Sequence, residues 1–179
     1  MKKIKAAVIG STGFAGEDLT RLLLQHPAVE VKYLTSKSYE SQYYSSVYQN
    51  FSGFSDIICS SEDIVTISDE CDVIFIALPH GIASSMITEE ILSKTKVIDL
   101  GADFRLKDLD VYKLWYKTPH ENKECLKQAV YGLCEIHRDK IKSARLIANP
   151  GCYTTCSILS LYPLLNDDIV ANNSLIIDA

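Results

Sequence analysis

The stretch IKAAVIGSTGFAG, residues 4–16, decides the fold that this sequence predicts. A short β-favouring run ends at Ile9, and glycines follow at positions 10, 13 and 16, where a helical pattern begins. Glycines at a strand-to-helix junction permit a tight turn and a close approach of the backbone to a pyrophosphate, while the helix N-terminus offers free N–H groups. The stretch therefore predicts a cofactor phosphate loop formed by Gly10, Ser11, Thr12, Gly13, Phe14, Ala15 and Gly16.

The rest of the chain alternates short apolar runs with helical patterns. The runs predict strands at 4–9, 29–34, 73–77, 96–100 and 145–148. Helical spacing joins two sets of apolar residues, which are Leu19, Leu22 and Leu23, and Ile82, Met86, Ile87 and Ile91. Runs such as 73–77 are apolar throughout, as expected when helices cover both faces of a sheet. The pattern predicts an α/β protein with a Rossmann-type, doubly wound, mainly parallel sheet.

Composition and charge narrow the classes of partner. The 179 residues include 18 Lys and Arg against 23 Asp and Glu, a formal net charge of −5, which argues against nucleic-acid binding. No apolar run reaches the roughly 18 residues of a membrane span, and no secretory signal is evident, so we expect a cytoplasmic protein without membrane contact. The six cysteines lack CxxC spacing, so neither disulfides nor a metal site is expected.

The end of the second predicted strand bears on the choice between NAD and NADP. NAD-selective sites place an Asp or Glu there to bind the ribose 2′-hydroxyl. Here the strand is followed by Ser36, Lys37 and Ser38, and no carboxylate occurs until Glu40. Hydroxyls and a cation suit a 2′-phosphate, so the sequence favours NADP(H) bound by these three residues. A solvated surface lysine remains the alternative for Lys37.

A candidate nucleophile follows the last predicted strand. In Asn149-Pro150-Gly151-Cys152, proline and glycine predict a sharp strand-to-helix turn that places Cys152 in the first turn of a helix. Free N–H groups there stabilise a thiolate, the form that attacks an acyl group, and together with the Asn149 amide they are suited to hold an oxyanion. A structural cysteine is the alternative. No general base is evident, and the four histidines are candidates only in principle.

Two further segments bear on domain organisation. Residues 107–126 hold the only Trp in a polar setting and are predicted to form a partly helical insertion near the site. Residues 174–179 predict a strand, and because domains rarely end in a strand without a turn, we expect a fragment of a longer chain. The predicted domains are an NADP-binding domain at 1–148 and, at 149–179, the start of a second α+β catalytic and dimerisation domain.

Five segments together resemble the N-acetyl-gamma-glutamyl-phosphate reductase family and follow that family's order. They are the glycine loop at 10–16, ALPHG at 77–81, DLGADFRL at 99–106, YGL at 131–133 and NPGCY at 149–153. The resemblance implies an NADPH-dependent oxidoreductase of arginine biosynthesis that acts on an acyl phosphate. Cys152 would displace phosphate to form a thioester, which hydride transfer would reduce to the semialdehyde.

The resemblance also implies roles for individual residues. Arg105 would bind a substrate anion, and Leu78, Pro79 and His80 would lie in the cofactor cleft. The family's catalytic histidine would lie beyond Ala179, and the full-length protein would be a homo-oligomer. Two alternatives stay open: an aspartate-semialdehyde dehydrogenase, whose family shares the glycine loop, and a non-catalytic NADP-binding fragment.

Overall fold

A computed structural model of the chain describes residues 2–53, 55–171 and 175–178. In these residues six strands form one sheet, in which every neighbouring pair is parallel and the order is β2-β1-β3-β4-β6-β5. The strands are β1 (Ile4–Ile9), β2 (Val29–Thr35), β3 (Val73–Ile76), β4 (Lys96–Asp99), β5 (Val130–Tyr131) and β6 (Leu146–Ala148). The predicted Rossmann-type α/β fold is confirmed.

Helices connect the strands and cover both faces of the sheet. They are α1 (Phe14–Gln25), α2 (Tyr44–Val47), α3 (Ile64–Glu70), α4 (Ala83–Met86), α5 (Glu89–Lys94), α6 (Leu109–Tyr116), α7 (Lys123–Gln128), α8 (Cys134–Ser143) and α9 (Cys152–Asn166), with a 3₁₀ turn at Gln49–Phe51. Four begin at a side-chain cap of the usual chemistry, provided by Asp63, Thr88, Asp108 and Asn122.

The core lies on the two faces of the sheet. On one face, β3 and β4 bury residues such as Ile74 and Val97 against α3, α4, α5 and α7. On the other face, Val8 and Leu34 pack against Tyr44 and Phe51, with α1 beside them. Helix α9 differs, because none of its residues is buried although most are apolar. In the described part of the chain, no helix is both long and apolar enough to cross a membrane.

The structure corrects three sequence-based expectations. The two-residue strand β5 was not predicted, because so short a run has no periodicity and is defined only by its pairing with β6. The helical pattern from Ile82 to Ile91 is broken into α4 and α5, because Ile87 is extended and Thr88 caps the second helix. The strand predicted at 174–179 is absent at 175–178, which pair with no described strand, and its end residues lie outside the described part.

The sheet order places a crevice at the carboxyl ends of the central strands. The chain passes from β1 to β2 on one side, and β3 then pairs with β1 on the other side. The loops that follow β1 and β3 therefore diverge at this point. Open parallel sheets bind their ligands at such a switch point, so we expect a ligand site at the loops after Ile9, Thr35 and Ile76.

Candidate cofactor cleft and cysteine turn

The glycine loop turns tightly against the end of β3. Gly10 has φ +78°, and a Cβ built on it would lie 2.5 Å from the carbonyl oxygen of Ala77. A Cβ on Gly16 would lie 2.3 Å from the Gly10 carbonyl oxygen, so both positions exclude a side chain. Gly13 has more room, since its Cβ would come only within 3.4 Å of that same oxygen. The absence of a side chain at Gly10 and Gly16 thus allows the loop to pack against the Ala77 backbone and against its own backbone.

Hydroxyl groups hold the loop in place. The Ser11 Oγ donates to the Thr35 carbonyl at 3.0 Å, and the Thr12 and Ser36 hydroxyls are 2.6 Å apart. The Tyr44 hydroxyl donates to the Ser11 carbonyl at 2.7 Å, and the Tyr48 hydroxyl donates to the Thr12 carbonyl at 2.9 Å. These two tyrosines were not identified from the sequence, because nothing local marks their contact with a loop more than 30 residues away. The loop is therefore fixed before any ligand binds.

A cleft of about 580 Å³ lies above the carboxyl ends of β1, β2 and β3. Of the residues predicted to bind cofactor, it is lined by Gly10, Thr12, Gly13, Ser36, Lys37, Ser38, Leu78 and Pro79. The other predicted residues lie outside the lining: Ser11, Phe14, Ala15, Gly16 and His80. Ser11 is fully buried beneath the loop, whereas the side chain of Phe14 is 97% exposed. The structure thus gathers most, but not all, of the predicted set around one cleft.

The cleft has a further wall that the sequence did not reveal. It is formed by the residues that lead into α3 and by the first residue of that helix: Ser60, Ser61, Glu62, Asp63 and Ile64. Asp63 caps α3, with its Oδ1 accepting from the backbone N–H groups of Val65 and Thr66. Glu62 brings an exposed carboxylate to the cleft, whereas the sequence directly after β2 contains no carboxylate until Glu40.

The cysteine turn follows β6 as the sequence predicted. Gly151 is the N-cap of α9, and Cys152 is the first residue of that helix, with an exposed side chain. The backbone N–H of Asn149 donates to the Asp99 carbonyl at 2.8 Å, which ties the turn to the end of β4. The Asn149 side-chain Nδ2 donates to the Pro150 carbonyl at 3.2 Å, so the amide is folded back on its own turn.

Arg105 lies beside this turn and binds its backbone. The guanidinium Nε donates to the Asn149 carbonyl at 2.8 Å, and Nη2 donates to the Leu100 carbonyl at 2.9 Å. The third nitrogen, Nη1, lies 3.1 Å from the position that a Cβ on Gly151 would occupy. The side chain predicted to clamp a substrate anion therefore has two of its three nitrogens engaged by the protein. Only the Nη1 edge faces the start of α9.

Asp103 fixes the loop that follows β3. This fully buried carboxylate accepts from the backbone N–H of Gly81 at 2.6 Å, from that of Ser84 at 2.8 Å and from the Tyr112 hydroxyl at 3.2 Å. Tyr112 belongs to α6, and the ring of Tyr116 on the same helix lies 5.6 Å from the ring of His80. The predicted insertion at 107–126 is thus partly helical, and it supports the loop that carries His80.

The histidines do not provide an evident base for Cys152. His120 is buried between aromatic rings, which lowers the pKa of its imidazole through desolvation. Its Nδ1 accepts from the backbone N–H of Asn122 at 3.1 Å. Among the described residues, none of the chain's four histidines forms a hydrogen bond with Cys152.

Asp99 is the most unusual ionisable group in the region. It is fully buried, its Oδ1 accepts from the Gly101 N–H at 2.9 Å, and its Oδ2 has no hydrogen-bond partner among the described residues. Burial raises the pKa of this carboxyl to about 6, the neighbouring Asp103 adds to the rise, and Arg105 opposes it. Its backbone carbonyl holds Asn149, so the group lies directly under the cysteine turn.

Residues 5–144 match the family model described as semialdehyde dehydrogenase, NAD binding domain. The chain belongs to this family, whose description supports a nicotinamide cofactor. The chain is 52% identical over 177 residues to a protein of Lachnospira eligens named N-acetyl-gamma-glutamyl-phosphate reductase, covering 98% of this chain and 51% of that protein. A protein of Lachnoclostridium phytofermentans with the same name is 52% identical over 176 residues, covering 98% of this chain and 51% of that protein. The chain thus spans about half the length of these curated relatives.

Solved structures show the same fold at low identity. Aspartate semialdehyde dehydrogenase with NADP from Candida albicans is 18% identical, with a TM-score of 0.61, and the match covers 93% of this chain and 48% of that one. Aspartate semialdehyde dehydrogenase II from Vibrio cholerae is 16% identical, with a TM-score of 0.65, and the match covers 93% of this chain and 43% of that one. These likenesses extend over nearly the whole of the present chain.

The buried Asp99 predicts a pH dependence of stability. Burial raises its pKa from the ordinary 3.8 to about 6, so between about pH 4 and pH 6 the folded state holds a proton that the unfolded state releases. Stability should therefore fall as pH rises through this window. Asp99→Asn removes this titration, so the free energy of unfolding of the variant, relative to that of the wild type, should rise by about 2 kcal/mol between pH 4 and pH 7.

Urea unfolding of both proteins across this pH range measures the difference. Asp110→Asn, which removes an exposed carboxylate on α6, reports the general effect of losing one negative charge. A difference between wild type and Asp99→Asn that stays constant with pH would contradict the assignment.

Proposed function

We propose that this chain supplies the cofactor-binding part and the nucleophile of an NADPH-dependent N-acetyl-gamma-glutamyl-phosphate reductase. The reaction would form N-acetylglutamate 5-semialdehyde and release phosphate. The observation that carries the proposal is the placement of the dinucleotide cleft and the Cys152 turn at the carboxyl edge of one parallel sheet. The name shared by relatives at 52% identity selects the substrate.

The residues of the cleft fit an NADP cofactor. The glycine loop and the first turn of α1 would receive the pyrophosphate, because Gly13 leaves its backbone open and the helix N-terminus favours an anion. Ser36, Lys37 and Ser38 would receive the 2′-phosphate at the end of β2. Leu78 and Pro79 form the apolar wall after β3. When bound, the reduced nicotinamide supplies the hydride.

Cys152 would carry out the acyl transfer. Its thiolate attacks the acyl carbon of the acyl phosphate, a carbon–sulfur bond forms, and the carbon–oxygen bond to phosphate breaks. The first-turn N–H groups of α9 lack intrahelical partners and would donate to the substrate's carbonyl oxygen, which would stabilise its negative charge. After reduction the carbon–sulfur bond breaks, which releases the semialdehyde and restores the thiolate.

Arg105 and Asn149 would act in two ways. Their mutual bond sets the start of α9, and the Nη1 edge of Arg105 beside Gly151 is placed to attract the anionic substrate. We further propose that residues 1–148 form the cofactor domain and that 149–179 begin the catalytic domain. A proton donor from a further part of the protein and a homo-oligomeric assembly would complete the enzyme.

The substrate can be tested on the full-length protein in the reverse direction. N-acetylglutamate 5-semialdehyde with NADP and phosphate should produce NADPH, whereas aspartate semialdehyde should give a rate at least about a hundredfold lower, since a site built to bind one anionic substrate rejects a differently shaped analogue. NADPH formation is followed by its absorbance. Activity on aspartate semialdehyde alone would assign the chain to the alternative reductase.

The nucleophile can be tested by alkylation, which also separates an enzyme from a non-catalytic binding module. Cys134, Cys152 and Cys156 are all exposed, and Cys156 lies one turn further along the same helix. Because only Cys152 lies at the N-terminus of α9, it should react with iodoacetamide about tenfold faster than Cys156 at pH 7. Mass spectrometry of peptides gives the rates. Equal rates at the two positions would argue for a structural cysteine.

The preference for NADP depends on Lys37. Its side chain is exposed at the cleft, and within the described residues it has no ion-pair partner. Lys37→Ala should weaken NADPH binding about tenfold and leave NADH binding within about twofold, because only NADPH carries the 2′-phosphate. Fluorescence titration measures both affinities. Lys127→Ala on α7 removes the same charge far along the chain and should change neither; equal losses for both cofactors at position 37 would refute the role.

A further inference from the structure

Residues 58–61, here called the 58–61 segment, extend the edge of the sheet beside the end of β2. Ile58 pairs with Tyr43 in an antiparallel bridge, and Ser60 pairs with Thr35 in a parallel bridge. The Ser60 N–H donates to the Leu34 carbonyl at 3.0 Å, and the Ser36 N–H donates to the Ser60 carbonyl at 3.0 Å. The backbone of Ser60 is therefore held rigidly next to the residues proposed to bind the 2′-phosphate.

Among the described residues, the Ser60 hydroxyl has no hydrogen-bond partner. Its Oγ is buried and unpaired among the described residues, although the residue lines the cleft. Its neighbours differ, since the Ser36 hydroxyl is bonded to that of Thr12 and the Ser61 hydroxyl donates to Glu40. An unpaired buried hydroxyl costs about 1–3 kcal/mol. No bond holds Ser60 in its present rotamer, so turning the hydroxyl toward the cleft breaks nothing.

The surroundings of Ser60 indicate which ligand chemistry its hydroxyl would meet. Lys37 and Ser38 line the same cleft and offer an ammonium group and a hydroxyl. A phosphate accepts several hydrogen bonds at once and suits such a set of donors. Glu62 lies on the same wall and would instead accept a hydrogen bond from a ribose 2′-hydroxyl. A 2′-phosphate can therefore bind near this carboxylate only if enough hydrogen-bond donors surround the phosphate, and otherwise the site would favour NAD.

We propose that Ser60 is a specificity-determining residue whose Oγ donates to an oxygen of the cofactor's 2′-phosphate. This role rests on the proposed use of NADP. Lys37 lines the same cleft, and Ser60 adds a neutral donor on the wall that also carries Glu62. Ser60 thereby lets a phosphate bind close to a carboxylate, and the pairing of its backbone with Leu34 and Ser36 positions it in advance.

Calorimetric titration of the full-length protein with two fragments, 2′,5′-ADP and 5′-AMP, tests the contact without turnover. Ser60→Ala should weaken 2′,5′-ADP binding about tenfold and change 5′-AMP binding by less than about twofold. Ser61→Ala is the matched control, because it removes a hydroxyl one residue further along the same wall. It should change neither affinity by more than about twofold. Ser60→Ala should also unfold at a urea concentration equal to or higher than that of the wild type without ligand, since the buried hydroxyl it removes is unpaired among the described residues.

The outcomes separate the new role from the function on which it rests. If Ser60→Ala weakens both fragments equally, or neither, the contact with the 2′-phosphate is overturned. A loss of stability in the free protein would assign the hydroxyl a structural role instead and would also overturn it. If the wild type prefers 2′,5′-ADP and Ser60→Ala shows the same ratio of the two affinities, only the Ser60 role fails. If the wild type binds both fragments equally, the NADP preference fails and the Ser60 role fails with it.

Discussion

The Arg105 guanidinium joins the two strand ends on which the rest of the site depends. Nε binds the Asn149 carbonyl after β6, and Nη2 binds the Leu100 carbonyl after β4. The N–H of Asn149 binds the Asp99 carbonyl, so three hydrogen bonds connect the two strand ends. Since α9 starts immediately afterwards, these bonds set the position and direction of Cys152. Arg105 therefore acts on the cysteine through the backbone, in addition to any contact with substrate.

Two buried carboxylates lie near this arginine and differ in how they are satisfied. Asp103 accepts from the N–H groups of Gly81 and Ser84 and from the Tyr112 hydroxyl. Within the part of the chain that the structure describes, the Asp99 side chain accepts only from the Gly101 N–H, and its Oδ2 is unpaired. A buried charge without enough donors is destabilised, and this is why the pKa of Asp99 is raised to about 6. Asp103 thus stabilises the loop that follows β3. The backbone of Asp99 supports the cysteine turn, whereas its buried side-chain carboxylate lowers the stability of the fold near neutral pH.

The sequence predicted what depends on local pattern. The glycine loop, five of the six strands, and the start of α9 at Cys152 all follow from residues within a few positions of one another. What it could not predict depends on pairing across the chain: β5 is defined only by β6, and Tyr44 reaches Ser11 from 33 residues away. The wall formed by Ser60 and Glu62 was missed for the same reason. It lies at the cleft because the β-bridge between Ser60 and Thr35 places it there, and no local sequence motif indicates such a bridge.

The sheet also explains why the proposed cofactor and the cysteine can cooperate. β4 lies between β3, which leads into the cleft, and β6, which leads into the cysteine turn. Neighbouring strands are about 4.8 Å apart, so roughly 10 Å separates the two exits. Only the end of β4 lies between them, and there a Cβ on Gly101 would come within 2.9 Å of Asp99 Oδ1 and 3.5 Å of the Leu78 carbonyl. A side chain at position 101 would therefore collide with the Asp99 carboxylate, and glycine allows the end of β4 to pack closely between the two exits.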